Sequence, residues 1–144
     1  MKKFFGVIFC LVVLCLVLGN SIGSVHAYSG DITPPRCSIV VPEKVKLGKT
    51  VYATVVCYDI NGLRDKTIST SDFKIKGGLF FTKLKVLEVS NPTTADNMTY
   101  TWTVKIKGSI LGTASIALKD FSVSDTSGNG NSPVVPKNIK VSCK

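Results

Sequence analysis

Residues 99 to 107 alternate strictly between two kinds of side chain, and this alternation constrains the fold more than any other feature of the sequence. Tyr100, Trp102, Val104 and Ile106 are apolar or aromatic, while threonines and lysines occupy the positions between them. Successive side chains of a β-strand point to opposite faces, whereas a helix would scatter this pattern around its circumference. The segment therefore predicts a strand with one face in a hydrophobic core.

Other segments show the same period of two, or short apolar runs between turn residues. We predict further strands at Cys37 to Val41, Thr50 to Tyr58, Phe73 to Ile75, Leu79 to Val89, Gly112 to Leu118 and Val134 to Val141. No window shows a sustained helical period. About seven short strands separated by turns are typical of a β-sandwich, although a barrel produces similar periodicity. The pattern predicts an all-β domain and leaves the topology open.

The N-terminal segment has the order of a cleavable secretory signal. Lys2 and Lys3 precede an apolar run from Phe4 to Leu18, which is followed by a polar stretch and the triplet Val25-His26-Ala27. This order predicts a signal peptide at residues 1–27 and a mature chain of residues 28–144 that is secreted or held at the cell surface. The rival interpretation is a permanent anchor, but 15 apolar residues fall short of the roughly 20 that span a bilayer. We therefore expect no membrane span after cleavage.

Cleavage changes the chemistry that the chain can perform. It leaves 117 residues, which fit a single domain with its own core. It removes the only histidine, His26, and with it every Ser-His-Asp, Cys-His or histidine–zinc arrangement. Without Lys2 and Lys3, 16 basic residues oppose 9 acidic ones, so the mature chain stays basic at +7. The composition disfavours an enzyme, and an exported enzyme of unknown type is only a minor alternative.

Particular residues resemble a known family. They are Asp31-Ile32-Thr33-Pro34-Pro35, Ser71-Asp72-Phe73, Tyr100 to Val104, Gly112-Thr113, and the segment Val123 to Asn131, which carries Val123, Asp125, Gly128 and Asn129 in the pattern Val-x-Asp-x-x-Gly-Asn. Over residues 31 to 142 the chain resembles the bacterial immunoglobulin-like (Big-type) domains of secreted and surface proteins. The resemblance implies an immunoglobulin-like Greek-key β-sandwich of about seven strands. Such modules serve as spacers, stalks, adhesins or accessories, and the fold does not choose among these roles.

The sandwich implied by the resemblance predicts which cysteines lie close enough to bond. Its first two strands run antiparallel, so Cys37 at the start of one would lie near Cys57 at the end of the other. We predict a Cys37–Cys57 disulfide, as an exported compartment favours. Cys143 is then a free thiol. Its two interpretations are a disulfide-linked dimer and a tail thiol without a role.

The same sandwich gathers oxygen-bearing side chains at one end. The lead-in to the first strand and two loops would bring together Asp31, Asp59, Asn61, Asp65, Asp125, Asn129 and Asn131. Hard oxygen ligands at this density are what calcium requires. Turns also need aspartate, asparagine and glycine for their own geometry. No spacing reproduces a full calcium-binding loop, so we expect no cofactor, and calcium is the one candidate that these residues leave open.

Three Lys-x-Lys pairs lie on consecutive predicted strands. They are Lys74 with Lys76, Lys83 with Lys85, and Lys105 with Lys107. Each pair shares a strand face, so neighbouring strands would create a positive patch for an anionic polymer of the cell envelope. The alternative is a solvated face whose lysines prevent edge aggregation. Nucleic acid is the least favoured partner, because no aromatic residues are interleaved for base stacking.

These features favour a non-catalytic binding or structural module outside the cytoplasm. The first partner class is an anionic envelope polymer at the lysine face. The alternative function is an accessory or inhibitor protein that docks on another exported protein through its loops or an exposed sheet edge. A lysine face favours the polymer, and a hydrophobic exposed edge favours the protein partner.

Overall fold

The computed structural model describes residues 30–77 and 83–143, and the predicted signal peptide lies outside this range. Residues 31–144 form one compact unit. Its strands are β1 Arg36–Val40, β2 Lys44–Lys46, β3 Thr50–Tyr58, β4 Leu63–Asp65, β5 Phe73–Lys76, β6 Leu84–Val89, β7 Thr93–Thr94, β8 Thr99–Gly108, β9 Gly112–Leu118, β10 Ser124–Asp125 and β11 Lys137–Ser142. A 3₁₀ turn at Thr70–Asp72 leads into β5. Within the described residues, no helix is long and apolar enough to cross a lipid bilayer.

The strands form two sheets that do not close into a barrel. One sheet has the order β1-β3-β8-β6, with β7 also paired to β8, and the other has the order β2-β11-β9-β5. The short strands β10 and β4 pair separately. The first two strands of the chain lie in different sheets, and β2 runs parallel to β11. This order is that of an immunoglobulin-like Greek-key sandwich, so the predicted fold class is confirmed.

The core contains the side chains that the period of two selects. Along β8, Tyr100, Trp102, Val104 and Ile106 are buried, and Trp102 is 0% exposed. Every second residue of β3 from Ala53 to Cys57 is buried in the same cluster. The opposite sheet contributes Ile116, Leu118, Ile139 and Val141. The alternation therefore predicted the inner face of both long strands.

Trp102 also makes a polar contact that anchors a loop. Its indole N–H donates to the Lys66 carbonyl oxygen at 3.2 Å, which satisfies the one polar atom of a fully buried ring. The Lys66 ammonium lies 4.6 Å from the centroid of the neighbouring Tyr100 ring. The Tyr100 hydroxyl in turn donates to the Asn97 carbonyl oxygen at 3.0 Å. The aromatic pair thus holds the segment after β4 and the turn that leads into β8.

The last strand begins later than predicted. It starts at Lys137 instead of Val134, although Val134 is buried. Pro133 and Pro136 lack the N–H that a sheet ladder requires, so the segment packs on the core without joining the sheet. The predicted strand from Leu79 to Val89 is described only from Lys83 onward, and its sheet pairing begins at Leu84.

The predicted disulfide is present. Cys37 and Cys57 face each other in the antiparallel register of β1 and β3, with Cα atoms 4.1 Å apart, and their sulfur atoms are bonded. The bond lies within one sheet, between adjacent strands. It closes a loop of sequence separation 20 that contains β2, a strand of the other sheet.

Candidate functional site

Three carboxylates converge at one end of the sandwich, which we name the acidic end. Asp31 precedes β1, Asp59 follows β3, and Asp125 lies in β10. Each contributes a carboxylate oxygen, and these three oxygens lie within 4.8 Å of one another. Asp59 and Asp125 are buried, while Asp31 is partly exposed. Carboxylates this close repel one another unless a proton or a cation intervenes.

Two asparagines of the predicted set support this cluster. The Asn61 side chain donates to Asp31 Oδ2 at 2.7 Å, and the Asn61 backbone N–H donates to Asp59 Oδ1 at 2.9 Å. The Asn129 side chain donates to Asp125 Oδ2 at 2.7 Å and to the Asp31 carbonyl oxygen at 2.6 Å. The structure therefore brings five of the seven predicted residues together.

The remaining two predicted residues have other roles. Asp65 is exposed and accepts a hydrogen bond from the Thr67 N–H, and it is not a member of the three-carboxylate group. Asn131 is buried, and its side chain accepts from the Val123 N–H while donating to the Lys119 and Ser132 carbonyl oxygens. Its amide thus fastens the long loop between β9 and β11. The sequence indicates the loop in which each of these residues lies, but not the hydrogen bonds that engage the polar atoms of Asp65 and Asn131.

The electrostatics differ within the cluster. Burial raises the pKa of Asp59, and repulsion from Asp125 and Asp31 adds to this, against the opposing effect of the Asn61 N–H. The pKa of Asp31 is lowered, chiefly by the Thr33 N–H and then by the Asn61 side chain. Ionised Asp59 is therefore the costly member of the group, and ionised Asp31 is the stabilised one. A bound cation would remove the cost at Asp59.

The pH dependence of stability follows from these two shifts. Because the folded pKa of Asp59 lies above 3.8, its ionised form destabilises the fold above that folded pKa, and acidification toward 3.8 removes the penalty. Asp31 has the opposite sign, with stability that is lost only below 3.8. We expect Asp59→Asn to be more stable than the wild type at neutral pH, and this advantage to shrink as the pH approaches 4. Chemical unfolding at several pH values measures it, and a constant difference would contradict the assignment.

Calcium binding stays a prediction, and the same variant tests it. Three carboxylates and two asparagine side chains offer oxygens of the kind that calcium prefers. We expect millimolar calcium to raise the melting temperature of the wild type, by an amount equivalent to about 1 kcal/mol, and to leave Asp59→Asn unchanged. Asp120→Asn, at an exposed carboxylate outside the cluster, is the control and should respond like the wild type. A wild type indifferent to both calcium and chelator would refute the prediction.

The six predicted lysines do not form one patch. Lys74 and Lys76 lie on β5 of one sheet, whereas the other four lie on or beside β6 and β8 of the opposite sheet. The prediction of a single face required these strands to be neighbours, and the crossover between β5 and β6 separates them. Lys105 is also partly neutralised by Glu88, with the charged atoms 3.6 Å apart. Sheet membership, and not order along the chain, therefore determines which lysines share a face.

A different set of lysines covers the outer face of the four-stranded sheet. Buried residues on β2, β5 and β11 point inward, so their alternating neighbours point outward. We define the basic sheet face as Lys44, Lys74, Lys76 and Lys140. Lys46 also points outward, at the end of β2 where the turn to β3 begins. Lys140 lies opposite Lys44 in the register, and no Asp or Glu occurs on these four strands. Lys44 and Lys140 alternate with the apolar residues Val45, Ile139 and Val141, and this alternation indicates that both lysines point outward. The strand β2 has only three residues, which is too short for a period of two to be recognised in the sequence.

The centre of the basic sheet face has small side chains and is partly apolar. The outward residues of β9 are Thr113, Ser115 and Ala117, which are all small. Beside them lies a groove of about 440 Å³, whose lining residues are Lys74, Lys76, Ser115, Ala117, Leu118, Lys119, Asp120, Pro133, Val134 and Pro136. The lysines thus stand on the flanking strands, and an extended ligand can lie across the strand between them.

Cys143 is free and exposed, as the sequence predicted for an unpaired third cysteine. It directly follows β11, whose last residue lies at the end of the sandwich away from the acidic end. A disulfide-linked dimer through this thiol stays a prediction. Electrophoresis without reductant distinguishes it from a monomer.

No protein-family model matches the sequence, and no curated protein matches it significantly. Among solved structures, the chain is similar to the SrpA adhesin from Streptococcus sanguinis, with 14% identity, a TM-score of 0.46 and coverage of 79% of this chain and 59% of the adhesin. It is similar to the GspB Siglec domain, with 16% identity, a TM-score of 0.44 and coverage of 78% and 59% respectively. It is also similar to the Lin-41 filamin domain, with 19% identity, a TM-score of 0.38 and coverage of 75% and 93%. The chain thus spans less than two thirds of either adhesin structure that it resembles.

Proposed function

We propose that the mature protein is an exported, non-catalytic binding module that contacts an anionic polymer of the cell envelope through its basic sheet face. The observation that carries this proposal is a four-stranded face with five outward lysines, the four of the basic sheet face and Lys46, and no carboxylate on any of its strands. A non-catalytic role is supported by the chemistry of residues 28–144, which include no histidine.

The dimensions of the face suit an extended polyanion. Lysines two apart on one strand are separated by about 7 Å, and the outer strands of a four-stranded sheet lie about 14 Å apart. Lys74 and Lys76 form one border of the face, and Lys44 and Lys140 form the other. A chain with a phosphate or carboxylate in each repeat unit can meet several of these ammonium groups at once. The small residues of β9 let it approach the sheet closely.

Electrostatic recognition makes the affinity depend on salt. Each lysine that neutralises a polymer charge releases a counterion, so four contacts give a slope of log affinity against log salt of about −3. Hydrogen bonds from Thr113 and Ser115 would add contacts that salt does not screen. The proposal therefore predicts strong binding at low salt and weak binding at high salt.

The test removes the charge without changing the fold. We expect the variant with Lys44, Lys74, Lys76 and Lys140 changed to Gln to lose at least tenfold in affinity for purified wall teichoic acid, and its salt slope to flatten by about 3. The matched control changes Lys49, Lys83, Lys85 and Lys107 to Gln, which removes the same charge from residues outside the four strands of this face. Isothermal titration at several salt concentrations measures both. Equal losses in the two variants would refute a specific face and leave only net charge.

A second candidate function is docking on another exported protein. The outer face of the five-stranded sheet exposes Val40, Tyr52 and Tyr58, and Val40 lies on β1, an edge strand of this sheet. Exposed apolar side chains at a sheet edge favour a protein partner. Capture from cell-envelope fractions separates the candidates, because a polymer is released by salt whereas a partner held by apolar contacts is retained.

A further inference from the structure

The end of the sandwich opposite the acidic end brings two turns together. The turn between β2 and β3 contains Leu47, and the turn between β8 and β9 contains Ile110 and Leu111. The turns are joined through Gly108, which accepts a hydrogen bond from the Gly48 N–H at 2.8 Å and donates to the Lys49 carbonyl oxygen at 3.1 Å. Gly48 has φ of 75°, a conformation that side chains other than glycine rarely adopt.

The tips of these turns are apolar and exposed. Leu47 is 43% exposed, Ile110 is 38% exposed, and Leu111 is 46% exposed. Single exposed apolar residues are ordinary on a protein surface. Three on two hydrogen-bonded turns at one end form a cluster, and no strand or loop of the described residues covers it to the extent that the core is covered.

Five lysines lie on or beside the strands and turns that carry this cluster. Lys46 and Lys49 flank the first turn, and Lys83 accepts hydrogen bonds at its carbonyl from Ser109 and Ile110 of the second. Lys85 and Lys107 lie directly opposite each other on β6 and β8. We define the basic end as Lys46, Lys49, Lys83, Lys85 and Lys107 together with Leu47, Ile110 and Leu111. The segments that contribute these residues, 46–50, 83–86 and 107–113, contain no Asp or Glu.

The basic end and the acidic end lie at opposite ends of β3. β3 begins beside the basic end at Thr50, and Asp59 of the acidic end follows its last residue, Tyr58. Nine residues of strand span about 30 Å. A negatively charged surface attracts the basic end, where the described segments contain lysines and no carboxylate, so the field favours contact through that end.

We infer that the basic end docks on a lipid surface with anionic headgroups. The ammonium groups would lie at the headgroup phosphates, while Leu47, Ile110 and Leu111 would enter the boundary with the acyl chains. A soluble polyanion rewards the lysines alone. Only an interface with an apolar layer behind its charged layer interacts favourably with both the lysines and the exposed apolar side chains. A lipid surface therefore fits this end better than a polymer. This inference uses none of the four lysines of the basic sheet face and does not depend on the proposed function.

The test uses residues 28–144, which contain the whole compact unit and its disulfide. Sedimentation with vesicles of phosphatidylcholine and phosphatidylglycerol should carry the protein down, and vesicles of phosphatidylcholine alone should not. We expect Ile110→Ser with Leu111→Ser to weaken vesicle binding at least fivefold without weakening binding to wall teichoic acid. Lys49→Gln with Lys85→Gln should weaken it by about fivefold per lysine.

The matched control is the basic-sheet-face variant, in which Lys44, Lys74, Lys76 and Lys140 are changed to Gln. It should bind vesicles more tightly than the variant in which four lysines of the basic end are changed to Gln, although both variants lose the same charge. Circular dichroism and the intact disulfide verify that each variant folds. Equal binding to charged and uncharged vesicles would overturn the inference, as would a serine variant that binds like the wild type. If the serine variant instead converts a dimer into a monomer in size-exclusion chromatography without changing vesicle binding, the cluster is a contact between copies and the inference is wrong.

Discussion

Replacing Trp102 with alanine is expected to lower the free energy of unfolding by about 3–5 kcal/mol, the range found when a large buried aromatic side chain is truncated. Trp102 is 0% exposed, so the substitution leaves a cavity between the sheets. It also leaves the Lys66 carbonyl oxygen without the N–H that now satisfies it. Domains of this size have a total stability of about 5–15 kcal/mol, so the variant would lose a large share of it.

The control for this prediction is Trp102→Phe. Phenylalanine retains most of the apolar contact and removes the N–H, so we expect it to cost clearly less than alanine. Urea unfolding followed by circular dichroism measures both variants. If the two variants were equally unstable, the hydrogen bond to Lys66 would outweigh the packing of the ring, contrary to the argument from burial.

The second large effect is expected from the disulfide. Removing the Cys37–Cys57 bond by changing both residues to alanine should cost about 3 kcal/mol, as chain entropy predicts for a closed loop of this length. The packing lost at Cys57, which is buried, adds to this cost. The variant should therefore unfold at a markedly lower urea concentration than the oxidised wild type.

Two comparisons separate the bond from the side chains. Wild-type protein unfolded with reductant keeps both sulfur atoms and should show the loss due to the bond alone. Cys143→Ser, at the exposed thiol, should leave stability unchanged. An oxidised wild type no more stable than the reduced one would contradict the predicted contribution of the bond.

The long strands were predictable because burial follows the period of two directly. Trp102 and its alternating neighbours on β8 fill the core as their spacing required, and the same holds for β3. The two-residue strands β7 and β10 could not be predicted, because they pair where the fold brings the chain together and have no pattern of their own. The start of β11 was misplaced because Val134 is buried without belonging to a sheet.

The candidate site was predictable only in part. Loop positions in a sandwich were enough to bring Asp31, Asp59 and Asp125 to one end. They could not reveal that Asn131 is engaged within its own loop. The lysines were misgrouped because strand order in a Greek key departs from chain order, which places β5 and β6 in different sheets. A period of two identifies the face of one strand, and only the topology identifies which strands share it.

The disulfide between β1 and β3 also determines how the domain responds to tension. A pull applied between Asp31 and Cys143 enters the fold at Cys37 and passes through the sulfur bridge to Cys57. When the domain unfolds under load, the 19 residues between the two cysteines stay enclosed by the bridge, and β2, which pairs in parallel with β11, lies among them. About 65 Å of contour length is therefore withheld when the oxidised domain is stretched. Reduction would release that length, so the oxidation state sets how far the module can extend under mechanical load.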